Sequence, residues 1–347
     1  MLRLSLMTGS ALIALSSTAT AQTLDERRLE TVTVAGLQPV ASDTLTEDVA
    51  ILDEEELSIR DTPYVADQLR AVPGIAVSRS GSLGGLTQVR VRGAEANHTL
   101  VFLDGIEFSD PVTGETDFGL LSGLNVSRIE VLRGEQSSLY GSDAIGGVIS
   151  VETAKSAGFR ADLEAGSRET ARGSAGFTTG TDRFILGGAI SGFTTAGVDS
   201  ADTDGEKDGS DSFSLLSNAT VELSQDWSLA LLATYRESNS QFDSDTDFDG
   251  LLNDVDRETG SEQSIFGAAL SGATGRIDHV FRANYNEVDR TNKADGVYTD
   301  STNGQRTKLS WSPSVSFGGG SVRHTLSGLI DHESEDYERK STDLAFG

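Results

Sequence analysis

Residues 241–258, QFDSDTDFDGLLNDVDRE, place an acid at nearly every second position and then a glycine. Asp245, Asp247 and Asp249 stand at positions one, three and five of a twelve-residue loop. Gly250 stands at six, Asn253 at nine and Asp256 at twelve. Alternating carboxylates around a glycine turn supply hard oxygen ligands for calcium, in EF-hand order. Asp256 is a shorter arm than the glutamate expected at twelve. The competing reading is a solvated acidic loop. No helix pair is evident on either side, so other elements must position these residues.

Composition narrows what those elements are. The chain has 347 residues, enough for roughly two domains at about 150 residues each. A net charge of −27 argues against a nucleic-acid partner and suits a cation-binding or water-exposed surface. The absence of cysteine removes disulfides and thiol chemistry without fixing the compartment. With 38 glycines, five prolines and 37% hydrophobic residues, neither a helical membrane protein nor a richly packed enzyme is indicated. Residues 1–21 read as a secretory signal: Arg3, an apolar stretch from Ala11 to Leu15, then Ala19-Thr20-Ala21. The apolar run is too short to span a bilayer. If the exported chain enters a membrane, it must do so as a barrel.

Residues 22–44 are polar, with one β-prone run, ETVTVAG, from Glu30 to Gly36. Such a run can add to a partner's sheet edge. Residues 45–153 mix helix and strand as one α/β domain. A helix is expected from Thr62 as cap through Pro63, with Val65, Leu69 and Val72 on one face. QVRVRG, TLVFLDG, RIEVLRG and GGVISVET read as strands. Residues 154–347 change character: segments of about ten residues alternate, as in Phe213, Leu215, Ala219 and Val221 against Ser214, Asn218 and Thr220. Apolar-out, polar-in alternation is the pattern of a transmembrane antiparallel β-barrel, although a soluble β-sandwich also alternates. Long polar links are expected at 194–212, 237–262 and about 291–305.

LRAVPGIAV, QVRVRG, HTLVFLDGIEF and VSRIEVLRGEQSSLYGSDAIGGVISVET resemble the plug domain of TonB-dependent outer-membrane receptors. Glu135 departs from the family's usual proline after RG. The resemblance implies an N-terminal α/β plug followed by a β-barrel in the outer-membrane lipid. It also implies a TonB box at Glu30, Thr31, Val32, Thr33, Val34 and Ala35, and TonB with its ExbB/ExbD motor as partners. Within the family the plug is most similar to that of the cobalamin receptors, which implies cobalamin or another small-molecule cargo. It further implies a structural calcium cofactor in extracellular loops. Positions carried over for substrate are Ser80, Leu86 and Thr87 in one plug loop and Val112 and Thr113 in the next. Those for metal are Asp199, Asp202, Asp204, Asp208 and Asp211 in one acidic loop, and Asp243, Asp245, Asp247, Asp249 and Asp256 in the other.

No catalytic constellation is found. His98, His279, His324 and His332 form no HExxH pair, and no nucleophile elbow is present. The chain is therefore expected not to be an enzyme, an exported calcium-dependent hydrolase being the different-class alternative. A ferric-siderophore or haem receptor is the nearer one. The scarcity of aromatic and basic residues favours a neutral or cationic cargo. About nine barrel strands are countable, fewer than the family's closed barrel holds, so the chain is expected to be the N-terminal part of a longer protein.

Overall fold

The computed structural model describes residues 31–32, 40–41, 48–60, 62–121, 124–201, 205–319 and 322–342. Two short strands, β1 (Thr31–Val32) and β2 (Val40–Ala41), pair antiparallel. The α/β domain then begins with β3 (Asp48–Leu52) and α1 (Glu54–Arg60). The periodicity above does not anticipate α1, yet its start signal is present. Asp53 accepts the N–H of Glu56 at 2.9 Å, and Glu54, Glu55 and Glu56 fill the positive first turn.

Thr62 is not the cap of α2 (Val65–Leu69). Tyr64 takes that position in an extended conformation, and Thr62 Oγ1 accepts the Tyr64 N–H at 3.4 Å. Proline at 63 holds its predecessor away from helical geometry, which delays the start. Val65, Leu69 and Val72 are buried as their spacing requires, although the helix itself ends at Leu69.

The hairpin β4 (Ile75–Arg79) and β5 (Thr87–Val91) carries a loop at its tip. It is followed by β6 (Thr99–Leu103), β7 (Ile106–Glu107), β8 (Val126–Arg133), the short α3 (Ser137–Tyr140) and β9 (Gly147–Thr153). The main sheet runs β3-β8-β9-β6-β7, with β6 and β9 parallel and the other pairs antiparallel. β6 and β9 are buried at every position, as strands covered on both faces are.

A second sheet of ten strands curves alongside this domain. It comprises β10 (Gly158–Ala165), β11 (Ala171–Thr181), β12 (Phe184–Val198), β13 (Asp208–Glu222) and β14 (Trp227–Ser244). It continues through β15 (Asn253–Thr274), β16 (Ile277–Ala294), β17 (Val297–Gly319), β18 (Val322–Ser327) and β19 (Ile330–Ser341). Neighbours from β10 to β17 pair antiparallel in sequence order, and both β18 and β19 pair with β17. Those last two are one crossing broken opposite Pro313, which has no N–H for the ladder. The described residues thus make nine crossings.

The crossings are longer than the ten-residue alternation suggests. β15 has 22 residues and β17 has 23, about twice what a tilted strand needs to cross a bilayer. Two of the long polar links are correspondingly mostly strand. The link expected at about 291–305 is a two-residue turn, Asp295-Gly296, both at positive φ (51° and 69°). Aspartate followed by glycine suits that turn because both can adopt it. The link expected at 237–262 shrinks to 245–252 between β14 and β15. Polar strand above a membrane has the composition of a loop, so composition alone cannot separate the two.

Outward positions carry Phe213, Leu215, Leu231, Phe266, Phe281 and Leu309, all exposed. Inward positions touch the plug. Leu216, Leu232 and Ile265 join the plug's own core of Leu103, Phe108, Leu121 and Ile129. Among the described residues no helix is long and apolar enough to cross a membrane.

Candidate functional site

The tip of the β4–β5 hairpin, the segment after β7 and the upper ends of β14–β16 enclose a cavity of about 430 Å³. Ser80, Leu86, Phe108 and Asp117 line it from the plug, Gln263 and Arg290 from the wall. Close approach of plug and wall requires glycine. At Gly84 (φ +94°), a Cβ would meet the Phe193 ring at 2.9 Å and Ser210 Oγ at 2.7 Å. Ser210 Oγ donates to the Leu83 carbonyl at 2.6 Å, and the Val198 N–H donates to Ser82 Oγ at 3.2 Å, fixing the loop to the wall.

Of the substrate positions, Ser80 and Leu86 face this cavity. The structure does not place the other three there. Thr87 is fully buried. Its N–H donates to Asp117 Oδ1 at 2.9 Å and its hydroxyl to the Gly85 carbonyl at 2.9 Å, so it is spent on the turn. Val112 and Thr113 donate their N–H groups to Asp110 Oδ1 at 2.6 and 3.1 Å. Val112 also packs against β17, where a Cβ on Gly304 would meet its Cγ2 at 2.3 Å. The sequence reading missed Asp117, whose only local signal is as the capping acid before Phe118-Gly119: it accepts the Gly119 N–H at 2.8 Å. Burial pushes its carboxyl up to about 6, against the pull of the Thr87 and Gly119 N–H groups.

The acidic stretches lie at one end of the wall, above the cavity. Asp245, Asp247 and Asp249 bring carboxylate oxygens within 4.8 Å of one another. Gly250, at φ +91°, makes the expected sharp turn, and Asp245 Oδ2 accepts its N–H at 2.9 Å. That bond, ahead of desolvation, leaves the Asp245 carboxyl below its ordinary value. The EF-hand order ends there. Asn253 Oδ1 is taken by the N–H and hydroxyl of Thr246, at 2.7 and 2.6 Å. Asp256 lies within β15 and is no member of the cluster. The physical reason is that the chain leaves the turn as a strand, which carries position twelve away, where a helix would bring it back.

A second cluster joins the two acidic loops: Glu206, Asp243 and Asp254, also within 4.8 Å. Only Asp243 was anticipated there. It ties the loops together, Oδ2 accepting the Ala201 N–H at 2.9 Å and Oδ1 the Val255 N–H at 3.0 Å, and it also lines the cavity. A hydrogen bond shared with Asp254, more than desolvation, raises the Glu206 carboxyl. Asp199, Asp208 and Asp211 belong to neither cluster. Asp199 Oδ2 accepts the Gly205 N–H at 2.9 Å, Asp208 Oδ2 the Ser200 N–H at 3.0 Å, and Asp211 sits in β13. Asp202 and Asp204 lie outside the described residues, as do Glu30, Thr33, Val34 and Ala35. Thr31 and Val32 form β1.

Residues 41–148 match the TonB-dependent Receptor Plug Domain family. The chain carries a TonB-dependent receptor plug. The chain is 28% identical over 282 residues to the vitamin B12 transporter BtuB of Photobacterium profundum, covering 76% of this chain and 43% of that one. It is 37% identical over 122 residues to BtuB of Vibrio cholerae serotype O1 (strain M66-2), covering 35% of this chain and 20% of that one. The chain thus spans less than half the length of these relatives. Its fold is that of the Pseudomonas aeruginosa ferripyoverdine receptor (TM-score 0.68, 15% identity, 90% of this chain and 45% of that one). It is likewise that of the alcaligin receptor FauA of Bordetella pertussis (TM-score 0.64, 18% identity, 91% and 52%). Plug, antiparallel wall and these relatives mark an outer-membrane β-barrel protein.

Proposed function

We propose that the whole receptor imports a scarce small molecule, cobalamin first among candidates, across the outer membrane with energy delivered by TonB. The cavity at the plug apex carries this reading: Ser80, Leu86 and Phe108 line it from the plug, and Asp243, which ties the acidic loops together, lines it from the wall. The names of the relatives supply the cargo. A site of this kind binds and releases without making or breaking bonds, so no catalytic group is needed. Occupancy would shift the plug ensemble and free the segment around Thr31–Val32 to pair with TonB, strand to strand, under force from the ExbB/ExbD motor.

Calcium is the cofactor we propose for the outer loops. The donor set fits: two clusters of carboxylate oxygens, each within 4.8 Å, with no softer ligand among them. Asp245, Asp247 and Asp249 would hold one ion, and Glu206, Asp243 and Asp254 another. The ion would neutralise repulsion among like charges and stiffen the loops.

The test is titration calorimetry of cyanocobalamin into the full-length receptor in detergent, with calcium and then with a chelator. Binding that weakens on chelation supports both parts. Binding indifferent to the chelator keeps the cargo and removes calcium. Absence of binding in either condition sinks cobalamin and directs the search to ferric siderophores, the cargo class of the structurally similar receptors.

A further inference from the structure

Below the apex cavity lies a second one of about 200 Å³, lined by Phe102, Tyr140, Arg282, Asn284, Lys308 and Glu333. Both cavities abut the same stretch of wall. On β16, Arg282 and Asn284 face the lower one, and Val288 and Arg290 the upper. Asn286, between them, is completely buried. The plug side is a single extended segment: Ile106 and Glu107 line the lower cavity, Phe108 and Asp110 the upper, with Ser109 between. Five plug residues therefore separate the two spaces.

Polarity at this seam runs one way. Asn284 Nδ2 donates to the Glu107 carbonyl at 3.0 Å and Asn286 Nδ2 to the Ser109 carbonyl at 2.6 Å. Arg306 Nη2 donates to the Ser109 carbonyl at 2.8 Å and pairs with the Glu107 carboxylate at 2.8 Å. Lys308 reaches Glu107 at 3.0 Å, and Arg290 reaches Asp110 at 2.7 Å. In each of these contacts the wall supplies the donor and the plug the acceptor. The inward faces of β16 and β17 thus present a strip of Asn284, Asn286, Arg290, Arg306 and Lys308 to the plug, with Glu333 and Glu335 of β19 beside Lys308 and Arg306. The plug segment occupies that strip as an acceptor-rich, acidic ligand would.

We infer that this strip is the transit surface of the receptor, uncovered when residues 106–110 part from it, and that it passes cargo rich in carbonyl, phosphate or carboxylate acceptors. A cargo of that chemistry exchanges with Glu107, Ser109 and Asp110 for the same donors, so the strip never stands unsatisfied. The inference rests on the import reading. It departs from the composition-based preference for neutral or cationic cargo, because Arg282, Arg290, Arg306 and Lys308 share this inward strip.

The chain has no cysteine, so a single introduced thiol reports on the seam. The full-length Asn286→Cys receptor, and separately Asn284→Cys in case the first fails to assemble, is placed in cells given cyanocobalamin. Cells are energised or treated with a protonophore, then exposed to anionic or cationic methanethiosulfonate reagents. Thr246→Cys in the exposed outer loop reports the amount of receptor in the membrane, and cyanocobalamin uptake is followed in the same cells. Labelling is expected to rise on energisation. The anionic reagent should lead by about tenfold, a lead abolished by adding Arg306→Gln and Lys308→Gln. Uptake without any rise overturns the transit surface and leaves import intact. A rise without charge preference overturns the cargo chemistry. A rise without uptake keeps the strip and removes cobalamin, and loss of both overturns cobalamin import and the strip as its path.

Discussion

The outer loops and the plug–wall seam use acidic side chains in opposite ways. At the seam, Glu107 and Asp110 each meet a cation within 3.0 Å, and Glu107 and Arg306 are both nearly dry. In the loops, carboxylates meet carboxylates, and what holds them is backbone N–H groups donated to Asp243 and Asp245. Removing a charge at the seam therefore strands its partner, whereas removing one in the loops relieves a repulsion. The seam is a closed electrostatic account within the chain. In the loops, the proposed calcium would supply the positive charge that the two carboxylate clusters do not find in each other.

The largest effect is expected from Arg306→Ala, which leaves the Glu107 carboxylate buried with only Lys308 beside it. About 3–5 kcal/mol of plug–wall stability should be lost. Hydrogen exchange of residues 106–110 in the full-length receptor measures it. Protection unchanged from wild type would break the comparison at its strong end.

Asp117 tests burial beside cations that act on it through space, Arg290 and the buried Arg236. Its pKa is raised in the folded state, so its contribution is fully present below about pH 4 and is lost as pH rises through about 6. Asp117→Asn keeps an oxygen for the Thr87 and Gly119 N–H groups and abolishes the titration. The variant plug should gain up to about 3 kcal/mol at pH 7.5, less what the buried Arg236 loses with its anion, and be similar to wild type at pH 4. Denaturant titrations at the two pH values decide this, and a gain equal at both would refute the ionisation argument.

A smaller effect tests how closely the wall approaches. A Cβ on Gly267 would meet Ile106 side-chain atoms at 2.5 Å. Gly267→Ala should loosen the seam by about 1–3 kcal/mol through overpacking. Gly275→Ala has open space for its Cβ but a positive φ, so it should weaken only its own turn. Exchange at residues 106–110 separates the two outcomes.

The smallest expected effect is in the loops and changes sign with calcium. In chelator, Asp254→Asn should slow exchange of residues 205–207 severalfold by relieving repulsion against Glu206 and Asp243. With calcium it should quicken exchange relative to wild type. The same direction in both conditions would remove the metal from the argument.

Much of the architecture was legible because its signals are local. The strands QVRVRG, TLVFLDG, RIEVLRG and GGVISVET are found where their patterns put them, and Phe213, Leu215 and Phe281 face outward. Lengths were not legible, since polar strand above a membrane reads as loop until its partner is known. Of the substrate positions named from the sequence, Ser80 and Leu86 line the cavity, as does Asp243 from the acidic loops, while Thr87, Val112 and Thr113 are engaged in turns. Glu206 and Asp254 were missed because they lie far apart in sequence and meet only across two loops.

The sequence by itself determined the two-part organisation, the alternation of the wall and the crowding of acids in two loops, because periodicity and composition act between near neighbours. Only the tertiary structure decided which acids face acids and which face cations. Arg306 and Glu107 are remote in sequence and share no local signal. Their pairing depends on the wall curving around the plug, and that curvature also gathers a few basic residues onto one inward strip of an acidic protein.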